Sequence, residues 1–212
     1  ERVFVVTNSK FFSRFRSWAD NLGFAKPLKV IDDGTKSEAA RRGAVGDIDF
    51  VVRRQKIGGD ILVLGGDNIF SAGLKRFLGF ARRRPGRPIV GLFDIKDKKA
   101  ASRYGVVTVD DKSKIVKFEE KPSRPHSSLV AMCVYYFPGS FLALGKEYLA
   151  KAGKKAGSDA TGNYIGWLSK KTAVYGFVFR GRWYDIGHID AYKQADDTYT
   201  RKIFSICPKI SP

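Results

Sequence analysis

The sequence predicts an α/β protein, and three observations lead to this prediction. Apolar, β-branched runs alternate with helical patterns through the first hundred residues. These runs contain few polar positions, which is typical of strands that are covered on both faces. In the second half, polar and apolar residues alternate instead, which favours antiparallel strands. We therefore predict a mostly parallel mixed sheet with an added antiparallel hairpin.

The first half contains four predicted strands separated by three predicted helices. The strands cover residues 2–8, 27–31, 61–64 and 88–95, and the helices cover residues 11–22, 37–56 and 71–83. The third strand (ILVL) should be buried on both faces. Ser37 is a candidate N-cap of the second helix. The basic cluster at 81–87 should lie at the end of the third helix, where cations are favourable.

The second half begins with two alternating strands joined by a polar turn, which predicts a hairpin at 105–122. The patterns that follow predict a strand at 129–137, helices at 140–152 and 162–170, a strand pair at 173–185 and a terminal helix at about 189–203. No linker, repeat or low-complexity segment interrupts these patterns. We therefore predict a single domain over residues 1–212.

Composition excludes several classes of protein. No segment approaches the roughly 18–20 apolar residues of a membrane span, and the two cysteines, Cys133 and Cys207, form neither a disulfide framework nor a zinc cluster. The predicted location is the cytoplasm. A net charge of +18 favours anionic partners. Nucleic acid is not expected among them, because the basic residues are spread along the chain and are not interleaved with aromatic residues.

Two carboxylates follow predicted strands and are candidates for metal binding. The run ILVLGGDNIF ends in Asp67, and GRWYDIGHIDAY carries Asp185 between an aromatic strand and a helix. In open α/β sheets, ligands gather beyond the carboxyl ends of strands. Because Mg²⁺ takes hard oxygen ligands and often only one or two from protein, the pair could hold Mg²⁺. Each aspartate could instead cap the helix that follows it.

Two further segments offer polar groups at strand ends. FEEKP (118–122) ends a hairpin strand with two acids and a lysine, which could contact sugar hydroxyls and a phosphate. A solvated ion pair at a strand end explains these residues equally well. RYGVV (103–107) has a glycine where a ligand could approach the backbone. Phosphate-loop, dinucleotide-binding, zinc-protease and serine-hydrolase motifs are absent.

Together, these segments resemble the sugar-1-phosphate nucleotidyltransferases, and most closely the glucose-1-phosphate thymidylyltransferases. VLGGDNIF, RYGVV, FEEKP and WYDIG occur in the order of that family and at similar distances, and DDGTKSEAARRGAVGDI (32–48) is similar to its nucleobase loop. The resemblance covers nearly all of residues 1–192. It implies the Rossmann-like nucleotide-diphospho-sugar transferase fold, with a nucleotide-binding half at 1–100 and a sugar-binding half at 101–212.

The resemblance also implies roles for individual residues. Asp67 and Asp185 would bind Mg²⁺, and Gly43 would lie beside the nucleobase. Tyr104, Gly105, Glu120 and Lys121 would meet the sugar and its phosphate, with Asp67, Lys121 and Asp185 as the catalytic group. The implied reaction joins a sugar 1-phosphate to a nucleoside triphosphate, with dTTP or UTP expected, and releases pyrophosphate. These small molecules would be the partners, and a homo-oligomer is possible.

The chain departs from the family's pattern at two places. The family's glycine-rich loop and its proline–lysine segment have no counterpart, so about 50 residues of the pattern are expected before RVFVVTN. Cys133 stands where the family usually has glycine, next to the sugar, and its side chain could narrow the sugar pocket. The alternative function is therefore a catalytically incomplete module of the same fold that binds or senses a nucleotide sugar.

Overall fold

A computed structural model of the chain describes residues 2–24, 26–153 and 160–206, with side chains described up to residue 198. Its internal contacts divide the chain into two compact units, residues 1–60 with 138–171 and residues 61–137 with 172–212. The single domain with halves at 1–100 and 101–212 stays a prediction. Cys207 lies outside the described residues.

In its described residues, the first unit combines a two-stranded parallel sheet with four α-helices. Its strands are β1 (Val3–Thr7) and β2 (Leu28–Asp32), and its α-helices are α1 (Phe12–Asn21), α2 (Gly43–Arg54), α5 (Leu142–Ala152) and α6 (Thr161–Lys171). The strands pair in parallel from Val3 opposite Leu28 to Thr7 opposite Asp32. Strand β1 lies within the predicted residues 2–8, and β2 extends one residue beyond the predicted range 27–31. Helices α5 and α6 pack against α2.

Helix α1 forms where the apolar spacing predicts it, but its apolar stripe is not buried. No residue of the helix itself is buried, and four stripe residues are exposed: Phe11, Phe15, Trp18 and Leu22. The spacing therefore predicted the helix correctly without predicting what covers it.

No helix in the described ranges is both long enough and apolar enough to cross a membrane.

The prediction of one helix over residues 37–56 is wrong at its start. Ser37 precedes a short 3-10 turn, Glu38–Ala40, and its side chain makes no capping hydrogen bond. The chain then becomes extended at Arg41, where ψ is 135°. Helix α2 begins only at Gly43, whose φ of +70° lies in the left-handed region that favours glycine. This backbone turn interrupts the helical pattern.

The described part of the second unit contains a six-stranded mixed sheet, a separate strand pair and three helices. Its strands are β3 (Ile61–Leu64), β4 (Asn68–Phe70), β5 (Ile89–Asp94), β6 (Gly105–Val109), β7 (Ile115–Glu120), β8 (Leu129–Phe137), β9 (Tyr175–Val178) and β10 (Trp183–Asp185). Its helices are α3 (Lys75–Arg82), α4 (Lys98–Ala101) and α7 (Ile189–Ile206). The main sheet has the order β7-β6-β8-β5-β9, and β3 also pairs with β8.

Strand β8 explains why the sheet is mixed. Strand β8 lies between β3 and β5 and runs antiparallel to both. The edge of β5 that faces away from β8 pairs in parallel with β9. A strand from the second half of the chain thus separates two strands that the β-α-β alternation of the first half suggests are neighbours. The predicted α/β fold with a mixed sheet is confirmed, and so is the hairpin, formed by β6 and β7. The expectation that the sheet is mostly parallel is wrong. Among the described strands of this sheet, β5 and β9 alone pair in parallel, because β8 runs antiparallel to β3, β5 and β6.

The expectation that β3 is buried on both faces is wrong. Its first three residues are half-buried, and Leu64 is 46% exposed. Among the residues that the structure describes, β3 pairs with β8 alone, so one of its edges carries no partner strand. An apolar run of four residues predicts a strand but does not determine how many neighbours that strand has.

The core of the second unit is aromatic. Phe77 of α3 is completely buried and stacks on Phe179, with ring centroids 5.5 Å apart, while Phe177 meets it edge-on at 5.7 Å. These rings pack on the face of β8 that carries Met132 and Val134.

Helix α3 ends at Arg82, so the basic cluster at 81–87 lies at a helix C-terminus, as predicted.

We predict that Phe77→Ala destabilises the chain by about 3–5 kcal/mol, because it leaves a large cavity in this core. Urea unfolding followed by tryptophan fluorescence measures the loss. The control is Val116→Ala, since Val116 is 60% exposed on the hairpin and its truncation should change the free energy of unfolding by less than about 0.5 kcal/mol. Equal effects of the two substitutions would contradict this description of the core.

Candidate functional site

Asp67 lies in the short turn between β3 and β4 and is exposed. It does not cap a helix, because the chain enters β4 at the next residue and α3 begins only at Lys75. Its Oδ1 accepts a hydrogen bond from Nδ2 of Asn68 at 2.7 Å. Oδ1 of Asn68 in turn accepts one from the indole N–H of Trp183, also at 2.7 Å. Asn68 therefore fixes the orientation of the Asp67 carboxylate.

Asp185 ends β10 and reaches the same place by strand pairing. Strand β10 runs antiparallel to β4, with Asp185 opposite Asn68. The backbone N–H of Ile186 donates to the carbonyl oxygen of Asp67 at 2.7 Å. The Asp185 Oδ1 accepts from the backbone N–H of Gly187 at 3.1 Å, which closes a local turn before α7 begins. Asp185 is therefore not the cap of the last helix.

The two carboxylates converge at Gly187. A Cβ added to Gly187 would lie 3.2 Å from Oδ1 of Asp185 and 3.6 Å from Oδ2 of Asp67. Within the described residues, no group of three or more His, Cys, Asp or Glu side chains is arranged to hold a metal. Two hard carboxylates around a space free of side-chain atoms nevertheless fit Mg²⁺, which keeps water or phosphate oxygens as its other ligands.

Gly65 allows the Asp67 turn to lie directly against strand β8. Its backbone N–H donates to the carbonyl oxygen of Cys133 at 2.7 Å. A Cβ on Gly65 would lie 2.7 Å from the Cβ of Cys133 and 2.9 Å from both Oδ1 of Asp67 and Nδ2 of Asn68. These distances are too short for any side chain. The position therefore requires glycine, and Cys133 lies beside the turn that carries Asp67.

The hairpin brings the predicted sugar-contacting residues together. Gly105 pairs with Glu120 across β6 and β7, and a Cβ on Gly105 would lie 3.0 Å from Oε2 of Glu120 and 2.5 Å from the ring of Phe118. Burial raises the pKa of Glu120, and the charge of Lys121 partly opposes this shift. A carboxyl group with a raised pKa more readily carries a proton, so it can both donate and accept hydrogen bonds with hydroxyl groups.

Glu119, the other acid of this segment, has a different environment. Alternation along β7 turns its side chain to the opposite face from Glu120. It forms an ion pair with Lys117 at 3.3 Å and a hydrogen bond with Nδ1 of His126 at 2.7 Å. These partners lower the pKa of Glu119, with the Lys117 hydrogen bond as the largest cause. The solvated ion pair that was the alternative for this segment therefore describes Glu119 and not Glu120.

Lys121 has a strained backbone. Its φ is +45°, in the left-handed region, where a residue other than glycine costs about 1–2 kcal/mol. Its backbone N–H donates to the carbonyl oxygen of Tyr104 at 3.0 Å, which anchors the strained residue to the start of β6. Such strain is often found at functional positions. Its exposed side chain carries a positive charge close to Glu120.

A cavity of about 250 Å³ lies beside Asp185 in the second unit. Its wall combines aromatic, aliphatic and charged side chains from β5, α4, β10 and the segments that follow β5 and α4: Phe93, Ile95, Ala100, Arg103, Tyr104, Trp183 and Asp185. The rings of Tyr104 and Trp183 are 5.3 Å apart. Burial raises the pKa of the Tyr104 hydroxyl, and the negative charge of Asp185 raises it further, while Arg103 opposes both.

The second unit thus contains six of the seven residues singled out from the sequence: Asp67, Tyr104, Gly105, Glu120, Lys121 and Asp185. Gly43 belongs to the first unit, where it is buried at the start of α2. Sequence reasoning gave no role to Asn68, Trp183 or Gly187. The short apolar run NIF could have indicated β4, and with it the pairing that brings Asn68 opposite Asp185.

Comparison with known proteins shows the family of the chain. A sequence model of the nucleotidyl transferase family matches residues 1–202. The chain therefore belongs to the nucleotidyl transferase family. Glucose-1-phosphate adenylyltransferases from Clostridium acetobutylicum and Clostridium novyi are 29% and 30% identical to it over 167 residues, which are 72% of this chain and 43% of each relative. The chain thus matches less than half the length of these relatives.

One solved structure shows the same fold. It is a protein from Bacillus anthracis described as a glucose-1-phosphate thymidylyltransferase, in complex with a sucrose. It aligns with a TM-score of 0.68 and 20% identity, covering 92% of this chain and 74% of that one. The likeness confirms the Rossmann-like fold class. The resemblance to sugar-1-phosphate nucleotidyltransferases, which are enzymes, is confirmed at the level of the family.

We predict that Gly65→Ala destabilises the chain by about 1–3 kcal/mol, because the new methyl group overlaps Cys133 and overpacks the turn. Cys133→Gly in the same chain should recover part of this loss, since it removes the Cβ that the new methyl group meets. A double-mutant cycle of urea unfolding measures the coupling. The control pair is Gly73→Ala with Cys133→Gly, because a Cβ on Gly73 meets nothing within 4 Å. Additive effects in the first pair would contradict the contact.

Proposed function

We propose that this chain carries the sugar-binding and metal-binding machinery of a sugar-1-phosphate nucleotidyltransferase. In the proposed reaction, a phosphate oxygen of a sugar 1-phosphate attacks the α-phosphorus of a nucleoside triphosphate. A new oxygen–phosphorus bond forms, the bond to the bridging oxygen of the β-phosphate breaks, and pyrophosphate leaves. The observation that carries the proposal is the convergence of Asp67 and Asp185 on Gly187, in a chain that belongs to this family.

Each group has a part that follows from its chemistry. Asp67 and Asp185 would hold Mg²⁺, which neutralises phosphate charge as the reaction proceeds. Lys121 would attract the phosphate of the sugar as a point charge. Glu120 would bind sugar hydroxyls, and Gly105 lets the backbone of β6 lie directly against Phe118 and Glu120, where a Cβ would not fit. The protein contributes mainly alignment and charge, since phosphoryl transfer requires little covalent help.

The nucleobase is the finer part of the proposal. The sequence led us to expect dTTP or UTP, whereas the two relatives described above are adenylyltransferases by name. We propose that the loop ending at Gly43 receives the base. We also propose that Cys133 limits the space for the sugar, because its side chain fills the position beside Gly65 and Asp67. Pyrophosphate release from dTTP, UTP and ATP, each with glucose 1-phosphate, tests the base directly.

The same assay separates the enzyme from a binding module. A nucleotidyltransferase releases pyrophosphate, whereas a module that only binds would take up a nucleotide sugar without releasing any. Calorimetric titration of the 212-residue chain with ADP-glucose, dTDP-glucose and UDP-glucose, with and without Mg²⁺, supplies the binding measurement. Failure of a folded chain to bind any nucleotide sugar and to release pyrophosphate would contradict the proposed function.

We predict that Mg²⁺ strengthens nucleotide-sugar binding by about tenfold or more, equivalent to about 1.4 kcal/mol. Asp67→Asn and Asp185→Asn should each remove most of this gain, because an amide is a poorer ligand for a hard cation than a carboxylate. The matched control is Asp111→Asn, which removes an exposed carboxylate in the hairpin turn. If all three variants kept the Mg²⁺ effect, the metal assignment would be wrong.

A further inference from the structure

The loop between β2 and α2 is tied together by Asp33, which is only 6% exposed. Both of its carboxylate oxygens accept hydrogen bonds from Thr35, one from the backbone N–H and one from Oγ1, each at 2.7 Å. The backbone N–H of Asp33 donates to the carbonyl of Thr7 in β1 at 3.0 Å. Its carbonyl accepts from Nε of Arg42 at 2.7 Å. Asp33 thus joins the first strand, the loop and the start of α2.

Asp47 brings a second carboxyl group to this point. It lies four residues after Gly43, so the two residues share one face of α2. Asp33 acts on the Asp47 carboxyl group both through its charge and as a side-chain hydrogen-bond partner. Among the described residues, Oδ1 of Asp47 is buried and receives a hydrogen bond from no donor. Two ionised carboxylates in this position would repel each other and leave that oxygen unsatisfied.

We propose that Asp47, in its protonated form, donates a hydrogen bond to the Asp33 carboxylate and thereby positions the loop from Asp33 to Gly43. We place the proton on Asp47, because both carboxylate oxygens of Asp33 already accept hydrogen bonds from Thr35. Asp47 is therefore a positioning residue and not a catalytic residue. The electrostatics agree with the geometry. Burial, followed by the charge and hydrogen bond of Asp33, raises the pKa of Asp47 to about 6.

The other charged side chains near Asp47 do not take the place of its hydrogen bond with Asp33. Arg42 and Arg41 lower the pKa of Asp47 and so oppose the shift. Arg42 is committed elsewhere, since it donates to the Asp33 carbonyl and its guanidinium lies 4.4 Å from the centre of the Phe50 ring. Helices α5 and α6, which pack on α2, bring a further set of charged side chains: Lys146, Glu147, Lys151, Lys170 and Lys171. Within this set, Glu147 forms ion pairs with Lys151 and Lys171.

The bond makes the order of the loop depend on pH, and the direction follows from linkage. The folded pKa of Asp47 lies above its usual value of 3.8. The stabilisation is therefore complete below about pH 4 and is lost as the pH rises through about 6. Under the proposed function, on which this step rests, the same loop receives the nucleobase. Nucleotide-sugar affinity should then be higher at about pH 5 than at about pH 7.5.

The first experiment compares thermal unfolding of the wild-type chain with that of Asp47→Asn across this pH range. The amide carries a donor at every pH, so the variant should keep its loop contact above pH 6. We expect its Tm, relative to wild type, to rise by about 2–4 °C between about pH 5 and about pH 7.5. Asp49→Asn is the matched control on the same helix, because Asp49 pairs with Arg53 instead, and it should show no such rise.

Two further measurements test the proposal without relying on the Tm of Asp47→Asn. The carboxyl carbon resonance of Asp47 should titrate with a midpoint near pH 6, and Asp33→Asn should move that midpoint to lower pH by removing the neighbouring charge. Hydrogen exchange of a peptide covering 33–42, corrected for intrinsic rates, should be about tenfold faster at about pH 7.5 than at about pH 5 in wild type. It should be pH-independent in Asp47→Asn.

Nucleotide-sugar binding then separates this inference from the proposed function. ADP-glucose and dTDP-glucose are suitable probes, because their phosphates stay ionised throughout this range. An affinity that falls by about tenfold in wild type but not in Asp47→Asn supports both proposals. Loop exchange that follows Asp47 without any nucleotide-sugar binding supports the positioning role and contradicts the proposed function. A midpoint near pH 4 for Asp47, or loop exchange that is the same in wild type and Asp47→Asn, overturns the inference.

Discussion

The pairing of strand β8 on both of its edges is the constraint on which the second unit depends. It holds β3 on one side and β5 on the other, and near its start it also pairs with β6 of the hairpin. The contact of Gly65 with Cys133 is where β3 leaves β8, and the chain then turns through Asp67 into β4. The position of the Asp67 carboxylate is thus a consequence of where β8 lies, and not of the residues next to it alone.

This dependence explains how much of the molecule could be predicted from the sequence. Most elements were found near their observed bounds, because periodicity and turn residues act locally. The insertion of β8 between β3 and β5, the exposed stripe of α1 and the break before Gly43 were not found. Each depends on which segments meet in space or on a single backbone angle. The candidate site residues could be singled out because they lie at strand ends, whereas Asn68 and Gly187 matter only through pairing that the sequence does not display.

Glycine has one common use in the candidate site. At Gly65, Gly105 and Gly187, a Cβ would come within 3.2 Å of a carboxylate oxygen. The absence of a side chain lets the backbone approach the acid closely at all three positions. Lys121 differs from these glycines, since it has a charged side chain although its backbone is in the left-handed conformation, where glycine would be unstrained. That cost is consistent with a need for its charge, which glycine could not supply.

Under the proposed function, the overall charge of the chain and the local charge of its candidate site have opposite signs, and a cation between the two carboxylates and the phosphates would resolve this conflict. The chain carries 39 basic and 21 acidic residues, and a field of this sign draws anionic substrates towards it. Near Gly187, however, the groups that face the substrate are the carboxylates Asp67 and Asp185, which repel phosphates at contact distance. A divalent cation between them reverses the sign of this local interaction. The acids that look unsuited to a phosphate site then become the reason that phosphates can bind there.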